Sequence, residues 1–118
     1  MVVVGVMNSK ASATWPHPAQ RIENLRANSP VHRLEMVVLR VYPRRMIVSE
    51  QYAGPVAAAC GRDETGLVGL VLWAEQVTSV QVGDVIRIES GWCRARDGVL
   101  VVSTGRHGRL SIVQSMSS

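Results

Sequence analysis

The chain predicts an all-β fold, a small closed barrel. Three observations carry this. Short runs rich in Val, Ile and Leu alternate between two faces, glycine and proline turn signals separate them, and no segment keeps a 3.6-residue period for the length of a long helix. The best-patterned part is residues 61–113, GRDETGLVGLVLWAEQVTSVQVGDVIRIESGWCRARDGVLVVSTGRHGRLSIV, two hairpin-forming halves joined by a short connector.

The 118 residues, 47% of them apolar, suffice for one domain with a hydrophobic core and leave no room for two. Thirteen basic against nine acidic residues give a net charge of +4, and twelve of the thirteen are Arg. Arginine suits phosphates and the faces of bases, so this balance points toward an acidic partner such as nucleic acid. An Arg-rich soluble surface gives the same count. Cys60 and Cys93 lack any CxxC or Cys/His spacing, which suggests neither a zinc site nor a disulfide scaffold and fits reduced thiols in an intracellular compartment. No apolar run approaches the roughly 18–20 residues that span a bilayer. The opening MVVVGVM lacks the basic start and length of a secretory signal, so a soluble protein is expected.

Residues 1–20, with Ser9, Ser12, Pro16 and Pro18, one Lys and no acid, read as a flexible tail with a weak likeness to an organellar transit peptide. Val2, Val3 and Val4 are able to add a strand to an open sheet edge. From Arg21, Ile22 and Leu25 predict one apolar turn beneath a barrel, ended by Ser29-Pro30. The first strand is expected from about His32 to Tyr42. Arg33 and Glu35 share one parity and Arg40 and Tyr42 the other, which predicts a bulge near Val37 and Val38. Residues 43–54 form a candidate contact loop with Arg44, Arg45, a brief strand over Met46 to Val48, and Tyr52.

The second strand, PVAAACGR, is made of small residues and permits close packing in a tight barrel. After a turn at Asp63 to Gly66, the third strand, LVGLVLW, sets Val68, Leu70 and Leu72 on one face and Gly69, Val71 and Trp73 on the other. The connector AEQVTSVQVGD allows a turn or so of helix, with Val77, Val80 and Val82 plugging the barrel's end. The fourth strand, VIRIESGWCRAR, turns Ile86 and Ile88 inward and Arg87 and Glu89 outward until Gly91 breaks the pattern as a bulge would. Asp97-Gly98 is the strongest hairpin signal in the chain and leads to the fifth strand, VLVVSTGR, and a basic, Gly-rich close in GRHGRL.

The series DETG, LVLWAEQV and VGDVIRIESGWCRARDGVLVVSTGRHGRL resembles the OB-fold domains of simple single-stranded-DNA-binding proteins, of the kind found in archaea and in the eukaryotic single-strand-sensing SOSS complex. Related plant proteins share the D-E-T-G turn. The likeness covers roughly residues 21–114. It implies a five-stranded Greek-key barrel with at most a short helical turn between strands three and four. It also implies a groove crossing strands two and three, flanked by the first long loop and the strand-four/five hairpin. Bases stack there on exposed aromatics while basic side chains follow the backbone.

Trp73 matches a stacking position of the family, and Trp92 matches the aromatic after the strand-four glycine. Arg96 and Ser103 stand where the family often carries rings. Arg96 is able to stack its guanidinium on a base and pair with phosphate, but Ser103 cannot replace a ring, so stacking capacity is reduced. The candidate nucleic-acid-binding residues are Trp73, Trp92, Arg94, Arg96, Ser103, Arg62, Arg44, Arg45 and Arg106. A Trp in a small barrel also serves as a half-buried rim residue, and arginines also solvate loops. Trp15, in the tail, reads as a packing anchor.

His17, His32 and His107 are scattered, with no carboxylate pair, Ser/His/Asp order, Walker loop or metal spacing around them. A non-enzymatic protein without metal or cofactor is therefore expected, divided into tail 1–20, OB-fold domain 21–114 and tail 115–118. The expected partner is single-stranded DNA, with RNA the other nucleic acid in view because stacking reads either. The alternative is a protein-interaction or assembly subunit of a larger complex of repair or replication type. Oligomeric state stays open. The expected location is intracellular, nuclear by preference and organellar as the alternative.

Overall fold

A computed structural model describes residues 19–115. Trp15, His17 and the three opening valines lie outside the described residues. Among the described residues there are seven strands: β1 (Ser29–Val41), β2 (Arg45–Val48), β3 (Ala53–Asp63), β4 (Gly66–Trp73), β5 (Val85–Arg96), β6 (Val99–Ser103) and β7 (Arg109–Gln114). One short helix, α1 (Gln76–Ser79), joins β4 to β5, and a 3-10 turn spans Ile22–Asn24. Five strands close a ring in the order β1, β3, β4, β6, β5 and back to β1. All neighbours in it are antiparallel except β4 and β6, which run parallel. The short strand β2 extends the sheet beside β3, and β7 extends it beside β5.

The expected five-strand barrel is therefore present, with β2 realising the brief strand in the first loop. β7 forms where the sequence shows only a basic close. Its pattern RLSIVQ leaves Ile112 and Val113 exposed, so it lacks the buried alternation that marks a strand in sequence. The fifth strand also ends at Ser103 rather than continuing to Arg106.

Alternation explains the core. In β4, Val68, Leu70 and Leu72 are buried, and in β5, Ile86 and Ile88 are buried opposite Met36 and Leu34 of β1. The irregularity in β1 falls between Val38 and Arg40, at Leu39, just beyond the expected Val37 and Val38. Val38 still belongs to the inward series, and the extra residue lets Val41 return to the core side. At the barrel's end Val77 and Val80 are buried as expected. Val82, 59% exposed, is not a plug, because the chain turns outward at Gly83 to begin β5.

β5 changes face midway. Ile86 and Ile88 point inward, then Gly91 and Cys93 do, and Ser90 between them has φ 55°. A Cβ on Gly91 would lie 2.6 Å from the Ser103 carbonyl oxygen and 2.7 Å from the Ile88 side chain, so only glycine fits. Asp97 (φ 53°) and Gly98 (φ 80°) form the left-handed pair that a two-residue hairpin requires. Burial pushes the Cys93 thiol above its ordinary value, which leaves it an inert core residue.

The D-E-T-G turn has a structural role. Asp63 Oδ1 accepts hydrogen bonds from the Thr65 hydroxyl (2.6 Å), the Thr65 N–H (2.7 Å) and the Gly66 N–H (3.1 Å). Its Oδ2 accepts from the Ile22 N–H (2.8 Å), and Thr65 Oγ1 accepts from the Glu23 N–H (3.0 Å). The turn thus holds the 3-10 turn whose Ile22 and neighbouring Leu25 fill the bottom of the core. Gln20 is held to β1 as well, its N–H donating to the Arg33 carbonyl (2.8 Å).

Burial acts to raise the Asp63 carboxyl, but the Thr65 hydroxyl and the three backbone N–H groups outweigh it and hold it below its ordinary 3.8. A depressed carboxylate stabilises the fold above its unfolded value and loses that contribution as pH falls through the folded one. The stability difference between wild type and Asp63→Asn, read by denaturant unfolding, should be largest at neutral pH and close as the pH drops below 3.8. Gly91→Ala should destabilise by about 1–3 kcal/mol, because a backbone carbonyl must move, and a thermal melt should show a fall of several degrees.

Candidate nucleic-acid interface

Register places most of the candidate residues on one outer face. On β4 that face carries Gly69, Val71 and Trp73, opposite Cys60, Ala58 and Val56 of β3. Gly69 pairs with Val101 of β6, and Val101 pairs with Arg94 of β5. Because β5 has changed face at Ser90, Trp92, Arg94 and Arg96 share this side, with Trp92 paired to Ser103 and Arg96 to Val99. Arg62 continues the β3 series beyond Cys60, opposite Leu67.

A groove of about 380 Å³ crosses this face. Its floor is apolar and low, made by Ala58, Val71 and Val101, with Trp73 at one end. One wall is β2, through Arg45 and Ile47, and the other is the β5/β6 hairpin, through Arg94, Arg96 and Ser103. No carboxylate lines it. An apolar floor between cationic walls suits a ligand with flat apolar faces and an anionic backbone.

Five of the nine candidates, Trp73, Arg45, Arg94, Arg96 and Ser103, line this groove. Arg106 lines a neighbouring recess instead. Trp92, 41% exposed, and Arg62 share the face but lie outside the groove's lining, and so does Arg44, an exposed loop residue just before β2. The residues that sequence reasoning omitted are the apolar ones. Val71 was recoverable from its parity with Trp73, and Val101 from the hairpin register that Asp97-Gly98 sets. Ile47 shares parity with Arg45.

Trp73 is fixed from several sides. Its ring meets Tyr52 edge to face, with centroids 5.1 Å apart and planes at 83°. Such a pair contributes about 0.5–1.5 kcal/mol beyond the area it buries. The Tyr52 hydroxyl donates to the Pro55 carbonyl (2.6 Å) and accepts from the Ala74 N–H (2.9 Å), which ties the β2/β3 loop to the end of β4. The Trp73 N–H donates to Gln76 Oε1 (3.0 Å), while Gln76 Nε2 donates to Thr104 Oγ1 (3.1 Å). The indole N–H is buried and has no partner. Tyr52 carried no signal of this role, because its contacts come from the fold and not from a motif.

Among the described residues no group of three or more His, Cys, Asp or Glu is placed to hold a metal ion.

No family model matches the chain. In sequence it is 27% identical over 92 residues to the single-stranded DNA binding protein Ssb of Saccharolobus solfataricus. That match takes in 78% of this chain and 62% of the relative, so the chain spans less than two thirds of the relative's length. Among solved structures, the OB domain of a Thermoplasma acidophilum protein superposes with a TM-score of 0.68 at 18% identity, covering 82% of this chain and 88% of that one. The replication factor A related protein of Methanobacterium thermoautotrophicum gives 0.68 at 20% identity, covering 82% and 92%. A replication protein A domain from Methanococcus maripaludis gives 0.66 at 22% identity, covering 82% and 97%. With the closed ring of β1, β3, β4, β6 and β5, these likenesses make the chain an OB-fold protein, similar in sequence to a single-stranded-DNA-binding protein.

Proposed function

We propose that the protein binds single-stranded nucleic acid, DNA by preference, in the groove between β2 and the β5/β6 hairpin, without catalysis. The observation that carries this reading is the groove itself: Trp73 and an apolar floor between Arg45 on one wall and Arg94 and Arg96 on the other, with no carboxylate in the lining. The similarity to a protein named for single-stranded DNA binding supports it. In this reading a base stacks at Trp73, the small residues of β3 and β4 let the strand lie close to the sheet, and the arginines neutralise phosphates. Ser103 supplies a hydrogen-bonding hydroxyl where a ring would have stacked, and Trp92 offers its exposed ring further along the same face.

Titration with oligo-dT, followed by tryptophan fluorescence, should show quenching at low salt. Trp73→Ala, shown folded by circular dichroism, should weaken binding by about 5- to 150-fold, the loss of one base stack at about 1–3 kcal/mol. Arg94→Ala should flatten the dependence of log K on log salt by about 0.7, one phosphate of a single strand. Absence of quenching at low salt, or unchanged affinity in Trp73→Ala, overturns the reading. Equal-length dT and U oligomers separate DNA from RNA preference.

A second reading, an assembly subunit that holds polypeptide, draws on β2. Met46 and Val48 are 69% and 83% exposed on this outer strand. A monomer by light scattering that binds oligonucleotide tightly argues against it.

A further inference from the structure

Beside the groove lies a second recess of about 560 Å³, within the roughly 300–1,000 Å³ usual for ligand sites. It is bounded by Tyr52 on one side, the turn from Ala74 into α1 on another, and the β6/β7 loop, with Gly105 and Arg106, on the third. The two hollows have two lining residues in common, Trp73 and Arg94. A chain leaving the groove at its Trp73 end therefore passes an aromatic ring and a guanidinium and enters this recess directly.

We infer that the recess is a second nucleotide subsite, taking the next part of the same single strand after it crosses Trp73 and Arg94, with Arg106 as its phosphate contact. This rests on the proposed reading of the groove and extends it past the β5/β6 hairpin, giving the candidate Arg106 a separate place on the path of the strand. The recess is built, not incidental. Its opposite walls are joined by the Gln76 to Thr104 hydrogen bond, and Thr104 is buried beneath the loop. Gly108 fits there because a Cβ would crowd the Ser90 carbonyl oxygen at 2.6 Å. Above this floor Gly105 is exposed with φ 63°, and a Cβ there would meet nothing within 4 Å, so the loop backbone stays open to a ligand beside the exposed Arg106. The dividing ring is held in place by its edge-to-face contact with Tyr52, which lines the recess too.

Charge sets the order of filling. The groove carries Arg45, Arg94 and Arg96 and no acid, whereas the recess carries Arg94 and Arg106 with Glu75 at its rim. A short oligonucleotide should occupy the groove, and only a longer one should reach Arg106.

The test compares dT4 with dT12 on the full chain, using fluorescence anisotropy of labelled oligomers, with Arg106→Ala and Arg96→Ala. Arg106 is exposed, so its substitution leaves the fold intact. Arg106→Ala should weaken dT12 by about 3- to 10-fold and reduce its salt slope by about 0.7, while dT4 changes less than about twofold. Arg96→Ala should weaken both. Equal losses for both lengths in Arg106→Ala, or no loss for dT12, overturn the second subsite while leaving the groove reading in place. Failure of the unsubstituted chain to bind either length removes the groove reading and the subsite with it.

Discussion

The constraint on which the rest of this structure depends is the change of face in β5. Through residues 85–89 the strand pairs with β7, and through 92–96 with β6, while β1 runs along its other flank from 85 to 93. One strand can serve both arrangements only by rotating its side chains between Ile88 and Gly91. Ser90 adopts a left-handed conformation to do so, and Gly91 leaves room for the Ser103 carbonyl. β1 turns with it: Met36 and Leu34 face the core beside Ile86 and Ile88, and Val31 does so beside Gly91.

The same rotation creates the site. Without it, Cys93 and Ala95 would take the outer face, and Trp92, Arg94 and Arg96 would turn toward the core. With it, the two arginines stand over β6 and β4, opposite the wall that β2 supplies. Trp73 reaches the same face by simple alternation in β4, and its surroundings are set by Tyr52 and Gln76 from separate loops. Folding and the candidate interface are thus one problem in this chain, solved largely by a single glycine and its neighbour.

The barrel was legible because its signals are local. The Asp97-Gly98 pair announces a hairpin, and the clean alternation of LVGLVLW fixes which side carries Trp73. The misfit of charged positions in β1 pointed to a bulge, though parity alone could not choose between Val38 and Leu39, since both neighbours preserve the two flanking patterns. β7 stayed hidden because its outer side is exposed and its pairing with β5 is nonlocal. The candidate site was half legible. Arginines and tryptophans stand out by chemistry, but whether Arg44 or Arg45 faces the groove depends on where β2 begins, and the separate position of Arg106 depends on where β6 stops. The role of the D-E-T-G turn was invisible, because Asp63 secures an N–H 41 residues away.

The ring closes through a narrow joint. β4 and β6 share only the register pairs Gly69 with Val101 and Leu70 with Val102, whereas the β3/β4 hairpin is paired over its whole length. The two walls of the groove stand on opposite sides of this joint: Arg45 belongs to the β2/β3/β4 side and Arg94 and Arg96 to the β5/β6 side. β1 also links the two halves, pairing with β3 on one side and with β5 on the other. Two register pairs, with Leu70 and Val102 buried in the core beneath them, therefore set the distance between the walls of the groove.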